Sequence, residues 1–188
     1  MLALLRYLCS LLLLTCFCQF TQAATLLQPL TPDQNLSQGS VNDLLLDRQG
    51  FLWVATDAGL NRYDGYKNLQ IGAQSPQLQS LTFSKLLLDS KQRLWALAPR
   101  SGLYAFDPIK AELFLHGTVP GTMTLDNRFT NLAQADNDHL LLSSRTQLYL
   151  YQPDNRELTS LAKLDDLGLA NAFIRTLLNY KNWILLGT

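Results

Sequence analysis

The chain has 188 residues, 47% hydrophobic and 16% charged, with 15 basic side chains against 15 acidic ones. A hydrophobic share of that size excludes a disordered chain; formal charge is zero, and the sequence holds no basic patch of the kind with which a nucleic-acid binder meets phosphates. All three cysteines (Cys9, Cys16, Cys18) lie near the start, so the rest of the chain has neither a disulfide scaffold nor a thiolate metal site.

Residues 1–23 read as a secretory signal. Arg6 is their one charge, Tyr7 to Phe20 is apolar with Leu11 to Leu14 at its heart, and Thr21-Gln22-Ala23 is a small-x-small cleavage site. The mature chain is expected to begin at Ala24. The apolar run is short against the roughly 20 residues of a membrane span; an uncleaved anchor is the alternative. Lipidation is excluded because Cys16 follows Thr15 and Cys18 follows Phe17, where a small residue is required. A cysteine-free mature chain suits an oxidising compartment.

From there a phrase recurs. Leu44 to Asp64 reads LLLDRQGFLWVATDAGLNRYD, and Leu86 to Asp107 reads LLLDSKQRLWALAPRSGLYAFD. Asp47 to Asp89 and Trp53 to Trp95 are both 42 residues apart. In a third unit Leu132, Asp136, Leu141, Ser144, Leu148 and Tyr151 take the places of Leu44, Asp47, Trp53, Thr56, Leu60 and Tyr63. A fourth begins at Ile174 and ends in Ile184-Leu-Leu-Gly-Thr188. A period near 40 residues built from short strands and turns marks propeller blades.

Within the first unit, Val41–Leu46 reads as an apolar inner strand. Asp47 to Gly50 reads as a turn, and Phe51–Thr56 as a second strand rich in aromatic and β-branched residues. Asp57-Ala58-Gly59 is a second turn, Leu60–Tyr63 an alternating third strand, Asp64-Gly65 a tight turn, and Leu69–Ile71 a short outer strand. The expected fold is therefore all-β, an incomplete β-propeller of three four-stranded blades plus part of a fourth. The blades are expected at about 36–77, 78–122, 123–166 and 167–188, in one domain over 24–188. Propellers close with 4–8 blades, so the chain is expected to be the start of a longer protein, with a truncated gene product as the alternative.

The repeat positions Asp47, Gly50, Trp53, Gly59, Asp89, Trp95 and Gly102 read as structural. The tryptophans suit aromatic packing between neighbouring blades. Each repeated aspartate stands alone at its turn, whereas a calcium loop needs several oxygen ligands at close spacing. No metal site, cofactor or catalytic group is expected. His139 stands at the strand-start position of Phe51, and His116 ends an outer strand. Asp165 and Asp166 are neighbours whose side chains would point apart on an extended strand. No nucleophile elbow, phosphate loop or pair of metal-spaced histidines occurs.

Binding is the better expectation. With the first strand of each unit innermost, the loops between second and third strands gather on one face together with the connections between blades. Asp57, Arg100 and Arg145 are then presented there as candidate ligand contacts. They differ chemically, as a site requires and a repeating scaffold does not, and arginine can grip a carboxylate or sulfate with two bonds. The alternative for each is an ordinary solvated loop residue.

The run from Asp47 to Gly65, with Gly50, Trp53, Gly59 and Tyr63 in their places and Leu36-Ser-Gln-Gly-Ser40-Val41 before it, resembles the two-component regulator propeller repeat. The second unit departs from it, with Arg93 at the position of Phe51, and the third and fourth keep only the apolar frame. The resemblance implies an extracytoplasmic sensor on the periplasmic side of a bacterial inner membrane. Beyond the chain it implies an immunoglobulin-like domain, a membrane helix, and a histidine kinase or diguanylate cyclase output. Its implied partners are a small solute or saccharide, the rest of the same receptor chain, and a second copy in a homodimer. A secreted propeller enzyme, such as a lyase or glycosidase, and a periplasmic interaction scaffold stay open, because propellers host many functions.

Overall fold

The computed structural model describes residues 36–118, 128–170, 172–181 and 183–188. The expected signal segment 1–23 and the expected blade boundary at 122 lie outside them.

Blade one is a meander of β1 (Val41–Leu46), β2 (Leu52–Thr56), β3 (Gly59–Tyr63) and β4 (Asn68–Ile71). Blade two repeats it with β5 (Lys85–Leu88), β6 (Leu94–Ala98), β7 (Gly102–Asp107) and β8 (Glu112–Gly117). Blade three follows with β9 (Asn131–Gln134), β10 (Leu140–Ser143), β11 (Gln147–Gln152) and β12 (Glu157–Lys163). A two-stranded sheet of β13 (Thr176–Tyr180) and β14 (Trp183–Gly187) begins a fourth. Every pairing is antiparallel and every sheet keeps chain order. The first strands lie beside one another, β1 against β5, β5 against β9, and β9 against β13. The fold is thus all-β, three four-stranded propeller blades and two strands of a fourth, arranged as an arc. A one-turn helix, α1 (Pro76–Gln79), crosses from blade one to blade two. Asp165–Leu167 forms a 3-10 turn, which corrects the expectation of an extended strand there.

The core sits in the seams between blades. Trp53, Leu60 and Ile71 of blade one pack with Phe83, Leu86, Ala96 and Tyr104 of blade two. Trp95, Leu97 and Leu103 pack with Phe129, Leu142 and Tyr151 of blade three, and Leu141 and Leu148 pack with Leu177 of the fourth sheet. The aromatic pairing itself repeats. Trp53 meets Phe106 edge-on at 4.8 Å between centroids, and Trp95 meets Tyr151 at 6.4 Å. Such edge-on pairs add about 1 kcal/mol each to the burial of the rings. Phe83, Phe129 and Ile174 hold one repeat position and are buried, while Val41 at the same position of blade one is exposed. No blade precedes β1 among the described residues, and Leu44 and Leu46 are exposed with it. At the far side Leu178, Trp183 and Leu185 of the fourth sheet are exposed in the same way.

Polar side chains fasten each blade to the next. Asp43 accepts the Leu86 N–H at 2.8 Å, Asn42 donates to the Phe83 carbonyl at 3.0 Å, and Asn131 donates to the Ile174 carbonyl at 2.7 Å. The turn from second to third strand is closed by a hydroxyl where the repeat offers one. Thr56 donates to the Gly59 carbonyl and Ser144 to that of Gln147. Gly102 is fixed by close approach, since at φ +135 a Cβ there would stand 2.4 Å from the Gly117 carbonyl oxygen.

Candidate functional site on the two faces of the arc

A meander of four strands sends its first and third turns to one face. Its second turn and the connection to the next blade go to the other.

Asp57, Arg100 and Arg145 lie in the turns β2–β3, β6–β7 and β10–β11, one per blade, on the connection face, and all three are exposed. Asp57 is tied down: its carboxylate accepts from Asn42 at 2.9 Å and its carbonyl from the Thr82 hydroxyl at 3.2 Å. Among the described residues no hydrogen bond or ion pair joins the three to one another. They share a face without forming a contact cluster.

The opposite face carries the repeated aspartates, and each does more than shape a turn. Asp47 Oδ1 accepts the N–H groups of Gln49 and Phe51, and its Oδ2 accepts the Trp53 indole N–H at 2.7 Å. Asp89 accepts the Arg93 N–H at 2.8 Å, the Arg93 Nε–H at 2.5 Å and the Trp95 indole N–H at 2.9 Å. The aspartate therefore anchors the seam tryptophan six residues on. In blade three leucine replaces the tryptophan, and Asp136 instead accepts from Asn179 of the fourth sheet at 3.1 Å.

The seam between blades two and three is closed by ions. Lys91 Nζ reaches Asp154 at 3.1 Å and Asp138 at 3.2 Å, and Arg93 Nη1 reaches Asp154 at 3.0 Å. Ser90 also bonds Asp138. The bonds to Asp154 and Asp138 raise the pKa of Lys91. Burial opposes the charge of Arg93, but Asp89 and Asp154 outweigh it and its pKa is raised. Asp154 is lowered by its bonds to Lys91 and Arg93, and Asp138 by those to Ser90 and Lys91. Deeper in this seam the His116 ring lies edge-on to Trp95 at 4.8 Å, and its Nδ1 stands 2.6 Å from the Tyr151 hydroxyl. That hydroxyl donates to the His116 carbonyl at 2.9 Å. Its only proton is thereby committed, so Nδ1 carries the proton of the imidazole and Tyr151 accepts it. Burial, helped by the charges of Arg156 and Arg93, lowers the His116 pKa to about 4, and burial raises Tyr151 to about 12. The pair is a neutral structural clasp.

The seam between blades one and two is open at the same face. A cleft of about 390 Å³ is lined there by Phe51, Trp53, Arg62, Lys91, Gln92 and Phe106 among others. The Arg62 guanidinium lies 4.5 Å from the Phe51 ring centroid and 5.8 Å from that of Trp53. Among the described residues no group of three or more His, Cys, Asp or Glu is placed to hold a metal ion.

Sequence reasoning placed the candidate contacts on the connection face and missed Arg62, Lys91, Arg93 and Asp154 on the other. Alignment of the repeats holds a signal for them. Position 62 is Ala105 in blade two and Leu150 in blade three, and position 109 of blade two becomes Asp154 in blade three. Charges that depart from the repeat mark where one seam differs from the next.

The chain is a segment of β-propeller. Within it, residues 35–58, which include β1 and β2 of the first blade, match the family described as Two component regulator propeller. Among solved structures, the chain is similar to the extracellular domain of BT3049 from B. thetaiotaomicron, described as a hybrid two component system. The identity is 22%, with 85% of this chain and 23% of that one covered, and the TM-score is 0.68. It is also similar to the extracellular domain of BT4673 from the same organism, described in one structure as a one component system and in another as a hybrid two component system. That likeness has 23% identity, 79% and 19% coverage, and a TM-score of 0.61. The chain spans less than a quarter of the length of these structures. No curated protein matches it.

Proposed function

We propose that the chain is part of the extracytoplasmic, ligand-sensing propeller of a membrane-bound signal-transduction receptor. The match of residues 35–58 to the two component regulator propeller carries this reading, and the likeness of the blades to extracellular domains of signalling systems supports it. On this reading residues 1–23 direct export, and no helix among the described residues is long and apolar enough to cross a membrane. The anchor and a histidine kinase or diguanylate cyclase output lie on another part of the receptor, which acts as a homodimer. Asp57, Arg100 and Arg145 contribute to recognition of a small solute or saccharide on the connection face. Ligand shifts the receptor between states only if it binds one of them more tightly. The test is export. Residues 1–188 fused to alkaline phosphatase are expected to give active enzyme outside the cytoplasm, and deletion of 1–23 to abolish it. Active fusion without 1–23, or none with it, overturns the reading.

A further inference from the structure

The repeat provides its own comparison, because the two seams on the aspartate face are built from equivalent positions. In the closed seam, the Arg93 guanidinium lies 5.4 Å from the Trp95 ring centroid, and Asp154 from the next blade reaches over to receive it at 3.0 Å. In the open seam a guanidinium also lies over the repeat tryptophan, at 5.8 Å. It comes from another strand: Arg62 on β3 stacks on Phe51, the residue that holds the position of Arg93.

The difference is the counter-charge. The turn of blade two that corresponds to the turn bearing Asp154 carries Ile109, which is 94% exposed. Asp47 also lines the cleft, but its oxygens accept the Trp53 indole and two backbone N–H groups and it forms no ion pair with Arg62. Among the described residues Arg62 makes no ion pair, although it is half-buried between aromatic rings. A guanidinium held rigid by stacking has little rotamer entropy left to lose on binding, and it offers a fork of donors to a carboxylate. Around it the cleft presents apolar walls from Phe51 and Phe106 and an amide from Gln92. Its volume of about 390 Å³ is in the range of small-molecule sites, roughly 300–1,000 Å³.

We propose that the cleft between blades one and two binds a small ring-bearing carboxylate. Its carboxylate takes beside Arg62 the place that Asp154 takes beside Arg93, and its ring lies against Phe51 and Phe106. The ring could be that of a sugar acid or of an aromatic acid, since both offer one carboxylate and one apolar face. The site lies on the face opposite Asp57, Arg100 and Arg145. It rests on the receptor reading only for its signalling consequence, so binding is measured independently of any output.

Isothermal titration of the intact protein with D-glucuronate and with benzoate, and with glucose as the neutral control, tests this. Saturable binding of one or both acids but not of glucose is expected; glucuronate alone assigns a sugar acid and benzoate alone an aromatic acid. Arg62→Gln removes a charge-assisted bidentate contact and should weaken binding about tenfold or more. Ile109→Asp places in blade two the carboxylate that blade three already has, and should occupy Arg62 internally and compete with the ligand. Ile109 is exposed, so this variant is expected to keep the melting curve of the parent. Absence of binding by both acids, equal binding of glucose, or unchanged affinity in both variants overturns the proposal.

Discussion

Asp89 receives the indole N–H of Trp95 at 2.9 Å, six residues along the chain, and Asp47 does the same for Trp53 at 2.7 Å. One carboxylate thus builds a turn and fixes the aromatic plug of the seam beyond it. The two latches should differ in worth, because Asp89 is 1% exposed and also neutralises Arg93, while Asp47 is only partly buried. Asp89→Ala should cost about 3 kcal/mol or more, since it leaves an indole and a guanidinium without their buried acceptor. Asp47→Ala should cost roughly 1–3 kcal/mol. Urea unfolding of the two variants checks the order.

His116 gives the fold an acid sensitivity of known sign. Its pKa falls from 6.5 unfolded to about 4 folded, so between those values the unfolded chain binds a proton that the folded chain does not. Stability therefore declines as pH drops from about 6.5 through 4. Asp138 and Asp154, whose folded pKa values are lowered from 3.8, contribute stability that is lost only below that window. His116→Phe keeps the aromatic contact with Trp95 and should flatten the melting temperature between pH 6.5 and 4 while leaving the steeper fall below it. An unchanged slope would assign the upper window to another group.

The first turn of each complete blade uses left-handed backbone, at Gly50 with φ +88, at Gln92 with φ +63, and at Asn137 and Asp138 with φ +55 and +61. A side chain in that region costs about 1–2 kcal/mol. Gln92→Gly should accordingly raise stability by about 1 kcal/mol, and Gly50→Ala should lower it by about the same amount. Chemical denaturation of the pair reads both signs.

The ion network over the second seam is exposed at its outer end, where the Asp154 side chain keeps 71% of its accessibility. Asp154→Asn should therefore cost little stability, and the loss should fade in high salt. A large loss, insensitive to salt, would mean that Asp154 holds the blades together rather than covering them.

Strand bounds and blade order were legible because Trp53 and Trp95, with Asp47 and Asp89, mark the period without ambiguity. The first blade's strands fall within one residue of expectation. The indole-to-carboxylate latch was not legible as a bond, since a turn aspartate already has a sufficient local reason to be there. The seam charges were hidden for another reason. Arg62 and Arg93 sit at different repeat positions yet bring their guanidinium groups over equivalent tryptophans, and only side-chain reach in three dimensions makes them comparable. Asp165 and Asp166 misled because a leucine-rich segment hides a 3-10 turn that closes at Gly168, φ +73.

The intact gene tests most directly the proposal that these blades are the input end of a receptor. Its reading frame beyond codon 188 should encode further blades, a membrane helix and then a histidine kinase or diguanylate cyclase domain. Further blades bearing convergent catalytic carboxylates with no membrane helix, as in a secreted lyase or glycosidase, would contradict the account.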